Sequence, residues 1–77
     1  MRTHKEAEVK FNKKLGAIVK DLREKQGVTQ QKLAYELDIA ISTYRQKEKG
    51  ESFFTVFEIK SILEKINIPI NKVFNSL

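Results

Sequence analysis

Ile41, Ser42, Arg45 and Gln46 have the types and spacing to read the edges of DNA bases. On a helix beginning near Ile41, positions three and four apart share a face. These four side chains then project together, while Tyr44 and in part Lys47 and Glu48 turn inward. The Gln46 amide sets a donor beside an acceptor, which matches N6 and N7 of adenine. Arg45 can make the equivalent paired contact to guanine, or hold a phosphate. Ile41 cannot hydrogen-bond, but it can pack on a thymine methyl.

Two short helices must position that face. Thr29 is suited to cap the first, with Leu33, Ala34 and Leu37 as its inner stripe and Gln30, Gln31, Lys32 and Glu36 outward. This helix is expected to end at Asp38, with Ile39 plugging the space before the next one. The second runs from about Ile41 to Lys49 and stops at Gly50. Over residues 29–49 this is helix-turn-helix spacing, which lays the second helix in the major groove of DNA.

The rest of the pattern supplies a support. From about Ala7 to Gln26, Phe11, Leu15, Ile18, Val19 and Leu22 recur at helical spacing, and Gly27 suits the turn that follows. Gly16 weakens that helix by about 1 kcal/mol relative to Ala unless a neighbour packs closely on it. Thr55 with Glu58 is a capping box that opens a fourth helix, striped by Val56, Ile59, Ile62, Leu63 and Ile66. Pro69 sits near the start of a short fifth, with Ile70, Val73, Phe74 and Leu77 as its apolar face. The expectation is an all-α fold of five helices, one domain over residues 1–77, with residues 1–6 as a frayed polar tail.

Composition narrows the function. The net charge is +5, and all of the excess lies before Gly50, where twelve Lys and Arg face seven Asp and Glu. That half holds the helix pair, so the charge fits a phosphate footprint; Lys13, Lys14 and Lys20 are candidates to track phosphates. There is no Cys, which excludes disulfides and Cys-ligated zinc. No carboxylate pair suits acid–base catalysis, no Ser stands in a nucleophile motif, no Gly-rich loop cradles phosphate, and His4 is alone. An enzyme is not expected, nor a cofactor, metal or small-molecule substrate. No apolar run approaches a membrane span and no signal peptide opens the chain, so a cytoplasmic protein is expected.

The motif Thr29-Gln30-x-x-Leu33-Ala34, with Ser42-Thr43-Tyr44 and Glu48-x-Gly50, resembles the Cro/C1-type helix-turn-helix regulators, the XRE family, over roughly Leu15 to Phe74. The run Tyr44 to Gly50, with Phe54-Thr55 and Glu58-Ile59, looks like a compact subtype common in phage and mobile-element regulators of low-GC Gram-positive bacteria. The resemblance implies a lambda-repressor-like domain. It implies that Gln30 hydrogen-bonds a phosphate and buttresses the recognition helix, that Thr43 and Lys49 touch the DNA backbone, and that Ile41, Ser42, Arg45 and Gln46 reach bases or nearby phosphates. With Thr29, the expected DNA-binding set is Thr29, Gln30, Ile41, Ser42, Thr43, Arg45, Gln46 and Lys49. Arg23 and Glu48 match a pair that forms an internal salt bridge, outside the DNA site. Three positions depart from the family pattern. Asp38 replaces the usual Gly of the turn, Ala40 removes a helix cap at a cost of about 1 kcal/mol, and Ile41 stands where many relatives carry a polar residue.

The expected function is a sequence-specific regulator of double-stranded DNA, a repressor that binds an inverted repeat as a homodimer. Phe53, Phe57, Ile70, Phe74 and Leu77 are its candidate interface residues, while Phe54 packs inside. With no separate sensor domain in these residues, a small-molecule inducer is not expected. A second reading uses the same fold as a protein-interaction module, such as an antitoxin or antirepressor-like partner. The uncapped Ala40 and the apolar Ile41 support that alternative.

Overall fold

A computed structural model describes residues 4–77 and contains five helices, with no strand among those residues. Met1–Thr3 of the expected tail and the side chain of His4 lie outside the described residues. Helix α1 spans His4–Lys25, α2 Gln30–Glu36, α3 Ile41–Lys49, α4 Val56–Lys65 and α5 Ile70–Ser76. Residues 4–6, expected in the tail, are helical, so α1 begins three residues before Ala7.

Helix ends follow from local chemistry. The Thr29 hydroxyl accepts the Lys32 N–H at 3.1 Å, and Thr55 with Glu58 closes a full capping box. Helix α3 starts at Ile41 behind Ala40, whose side chain makes no capping bond. Helices α1 to α4 stop in one way. A residue with positive φ follows each (Gly27, Asp38, Gly50 and Asn67), and the next N–H reaches back five residues to a carbonyl. Those bonds are Val28 to Arg23, Ile39 to Ala34, Glu51 to Gln46 and Ile68 to Leu63, all between 2.9 and 3.1 Å. This is the Schellman closure, in which the residue after the left-handed one often packs on the helix it has just left. Val28, Ile39 and Ile68 do pack against the core. Asp38 thus takes the conformation usually given to Gly, at φ 58°.

Nine side chains form the buried core: Val19, Leu22, Leu33, Ala34, Tyr44, Ile62, Leu63, Ile66 and Val73. Helix α1 is its spine, packing against α3 and α5, while α2 packs on α3. The close approach of α1 to α3 depends on Gly16. A Cβ there would stand 2.9 Å from the Lys47 carbonyl oxygen and closer still to that of Glu48. Gly50 combines two demands, since its φ is +80° and a Cβ would lie 2.8 Å from the Lys13 Cα. Buried Asn12 adds a polar tie, donating from Nδ2 to the Ser52 carbonyl at 2.9 Å.

The apolar stripes are only partly covered. Val56, assigned to the inner stripe of α4, is 85% exposed, because it occupies the first position after the Thr55 cap and points away from the core. Phe11 in α1 and Ile70 and Phe74 in α5 are also exposed; Val73 is the one fully buried side chain of α5. Phe54 packs partly inside, edge-on to Tyr44 with ring centroids 6.2 Å apart, and Phe53 and Phe57 are exposed.

Gly16→Ala tests the helix crossing. Propensity alone would favour Ala by roughly 1 kcal/mol, but overpacking against backbone costs about 1–3 kcal/mol or more. Chemical denaturation should therefore show a clear net loss of stability. An unchanged or higher midpoint would mean that α1 and α3 do not approach this closely.

Candidate nucleic-acid interface

Helix α3 divides into two faces. Tyr44, Lys47 and Glu48 are buried, while Ser42, Arg45, Gln46 and Lys49 are exposed. Thr43 is half-buried at the boundary, and Thr29 is exposed at the start of α2. Ile41 departs from its expected place on the outer face. It is half-buried and packs against the core, because an apolar side chain at the first position of α3 can cover the α2–α3 turn. Gln30, expected outward, is also half-buried, because hydrogen bonds draw it onto α3.

Those bonds belong to a network that locks the helix pair. Arg23 Nε donates to Glu48 Oε2 at 2.7 Å and Nη2 to Oε1 at 3.2 Å, a two-pronged ion pair between α1 and α3. Arg23 Nη1 donates to the Val28 carbonyl at 2.8 Å, which anchors the loop before α2. Gln30 Nε2 donates to Glu48 Oε1 at 3.0 Å, and Gln30 Oε1 accepts from Arg45 Nε at 3.3 Å. The pair expected between Arg23 and Glu48 is thus present, and it reaches further than that expectation. Arg45 and Glu48 are three positions apart on α3, so both can meet the first residue of α2.

Electrostatics keep the network charged. Burial opposes the Glu48 carboxylate, but hydrogen bonds from Arg23 and Gln30, with the Tyr44 hydroxyl close by, outweigh it and hold its pKa below the usual carboxylate value. Burial likewise opposes the Arg23 charge, and Glu48 outweighs it, so the guanidinium pKa rises. The Tyr44 hydroxyl is buried. Its geometry to Glu48 falls short of a formed hydrogen bond, yet burial first and the nearby carboxylate second raise its pKa.

The remaining Lys of the helix interior is a structural tie. Buried Lys47 Nζ donates to the Phe53 carbonyl at 2.8 Å and to Glu58 Oε1 at 3.1 Å. The same Glu58 oxygen accepts the Thr55 N–H at 2.8 Å, so the capping box of α4 is tied to α3. Burial raises the Glu58 pKa, but the Thr55 bonds and Lys47 lower it further. Lys14, a candidate phosphate contact, instead donates to the Leu77 carbonyl at 2.9 Å, beside α5.

A family model described as Helix-turn-helix matches residues 19–73, most of the chain. The chain belongs to the helix-turn-helix family, of the Cro/C1 type. No curated protein matches it. This family consists of DNA-binding regulators and is not an enzyme family, which supports double-stranded DNA as a partner of this chain. Among the described residues, no helix is long and apolar enough to cross a membrane.

Acid sensitivity follows from the two carboxylates. Glu48 and Glu58 have folded pKa values below their unfolded ones, so their stabilisation is complete above about pH 4.3 and is lost as pH falls through the depressed values. Thermal melts should hold a plateau near neutrality and decline below about pH 4.3. Glu48→Gln should lower the plateau and flatten the decline; an unaltered acid slope would remove Glu48 from this role.

Proposed function

We propose that this helix-turn-helix protein is a sequence-specific repressor that binds an inverted-repeat operator as a homodimer. The observation that carries the reading is the division of α3, whose inner face is locked by Arg23, Glu48 and Lys47 while Ser42, Arg45 and Gln46 stand exposed. A rigid helix with polar, hydrogen-bonding side chains on its outer face suits readout of base edges in the major groove. Ser42, Arg45 and Gln46 serve base edges. Thr29, Gln30, Thr43 and Lys49 serve the phosphates that set position and orientation. Ile41 contributes at most its exposed edge, to a thymine methyl, since the rest of its side chain packs inward. Repression needs only occupancy of the site.

The dimer is supported by the apolar surface away from α3. Phe11 and Leu15 of α1, Val56 and Ile59 of α4, and Ile70 and Phe74 of α5 line one groove. Four of these six are counted among the exposed large hydrophobics. An inverted repeat requires two copies related by a twofold axis, and a self-complementary apolar patch is the usual means. The interaction-module alternative loses a support here, because Ile41 gives α3 no exposed apolar recognition face.

Gln46→Ala should relax preference at one base pair of the half-site and cost roughly 1–3 kcal/mol on the preferred duplex. Competition against random duplex reads this out; equal losses on both would deny it a base-reading role. In sedimentation, Phe74→Asp should shift the protein to monomer and weaken operator binding, with helix content retained because Phe74 is already 61% exposed. Unchanged sedimentation would place the dimer contact elsewhere.

A further inference from the structure

A groove of about 460 Å³ runs beside the first half of α1, within the size range of small-molecule sites. Ala7, Phe11 and Leu15, at steps of four, form its apolar floor, and Phe53 and Phe54 before α4 form the facing wall. Two polar side chains, Glu8 and Asn12, enter it, also four apart on α1. Asn12 is only 3% exposed, and chemistry settles which way its amide points. The Ser52 carbonyl can only accept, so it takes the NH2 side at 2.9 Å and turns the amide oxygen the other way. Among the described residues nothing donates to that oxygen. The Tyr44 hydroxyl is the one unbonded side-chain group sealed from solvent among those residues, so Asn12 Oδ1 is reachable, and the groove that Asn12 lines is what reaches it. Glu8 is exposed and makes no ion pair or hydrogen bond among the described residues.

We propose that this groove binds a small primary ammonium carried on an aromatic body, an arylalkylamine. Both polar side chains that line it present acceptors, one neutral and one anionic. A ligand with a carboxylate or phosphate head would find no side-chain donor here and would meet a like charge. An ammonium brings three donors, enough for Asn12 Oδ1 and the Glu8 carboxylate together. Its bond to the carboxylate is charge-assisted and stronger than a neutral one. The aromatic body suits Phe11, Phe53 and Phe54, whose rings favour offset or edge-on contact and whose faces attract a nearby cation. Phe11 and Phe53 are about half exposed, so a ring between them gains burial that the free protein lacks. The tie from Asn12 to Ser52 uses only one side of the amide, and structural need alone leaves the other side unemployed. The expectation of no small-molecule effector rested on the lack of a separate sensor domain. This site lies within the helical domain itself and includes no residue of α2 or α3.

The test titrates the full chain, as wild type and as Phe74→Asp, with 2-phenylethylamine while backbone and side-chain amide resonances are followed. Phe74 lines the neighbouring α4–α5 groove and not this one, so the variant leaves the site open if copies pair through α5. Saturable shifts should centre on residues 7–15 and 52–54 and include the Asn12 side-chain amide. The expected Kd is roughly 1 mM, in keeping with so small a ligand. The anionic analogue 3-phenylpropionate should bind at least about tenfold more weakly. Glu8→Gln, at an exposed position that leaves the fold intact, should weaken the amine about fivefold and leave neutral 2-phenylethanol unchanged. Phe53→Ala should weaken all three ligands, since it removes part of the wall. The proposal would be overturned by no saturable shift in either protein up to roughly 10 mM amine, by equal affinity for amine and acid, by indifference to Glu8→Gln, or by shifts centred outside the groove. None of these results bears on DNA binding, because the α2–α3 pair lies outside the site.

Discussion

The buried ion pair between Arg23 and Glu48 is the constraint on which the helix pair depends. Its side chains are only 8% and 2% exposed, so both charges have left water. Such a pair adds little net stability relative to an apolar substitute, yet removing one partner leaves an uncompensated charge and costs several kcal/mol. Its value here is geometric. Arg23 comes from the last turn of α1 and Glu48 from the last turn of α3, while Val28 and Gln30 take up remaining hydrogen-bonding capacity from the segment that starts α2. Three helices therefore meet at one charged point. Around it the chain removes steric bulk at Gly16, where α1 and α3 touch through backbone, and adds a second buried tie through Lys47 to the cap of α4.

This arrangement divides the molecule by chemistry. One side holds a polar, basic helix face fixed by hydrogen bonds, suited to a ligand with many acceptors. Another side, built from α1, α4 and α5, leaves aromatic and aliphatic side chains uncovered. A chain of 77 residues buries a limited share of its surface, so an association that covers those side chains also adds stability. DNA affinity and dimer stability would then reinforce each other, since each copy gains from the other being bound.

Much of this was legible in the sequence where the signal is local. The Thr29 cap, the Thr55–Glu58 capping box, the stop at Gly50 and the inward turn of Tyr44, Lys47 and Glu48 all depend on residues within a few positions of one another, and all are present. Asp38 in the turn was likewise readable as a left-handed residue in place of Gly. Periodicity failed where burial depends on what lies across from a helix. It marks the apolar side of α4 and α5 but not whether a neighbour covers it: Val56, counted in the α4 stripe, is exposed, and so are Ile70 and Phe74, which were read both as the apolar face of α5 and as interface candidates. Ile41 is the converse case, counted outward by spacing and drawn inward by the turn beside it. The contacts of Gln30 with Arg45 and Glu48 combine residues 15 and 18 positions apart, and only the packing of α2 on α3 brings them together.

Whether the outer face of α3 reads DNA sequence is decided by selection from a random duplex library at near-physiological salt. A dimer that reads bases through α3 should enrich a twofold-symmetric motif whose half-sites lie about one helical turn apart. Enrichment of no motif by protein that remains folded would contradict base reading by α3, and would turn the search to a protein partner for this fold.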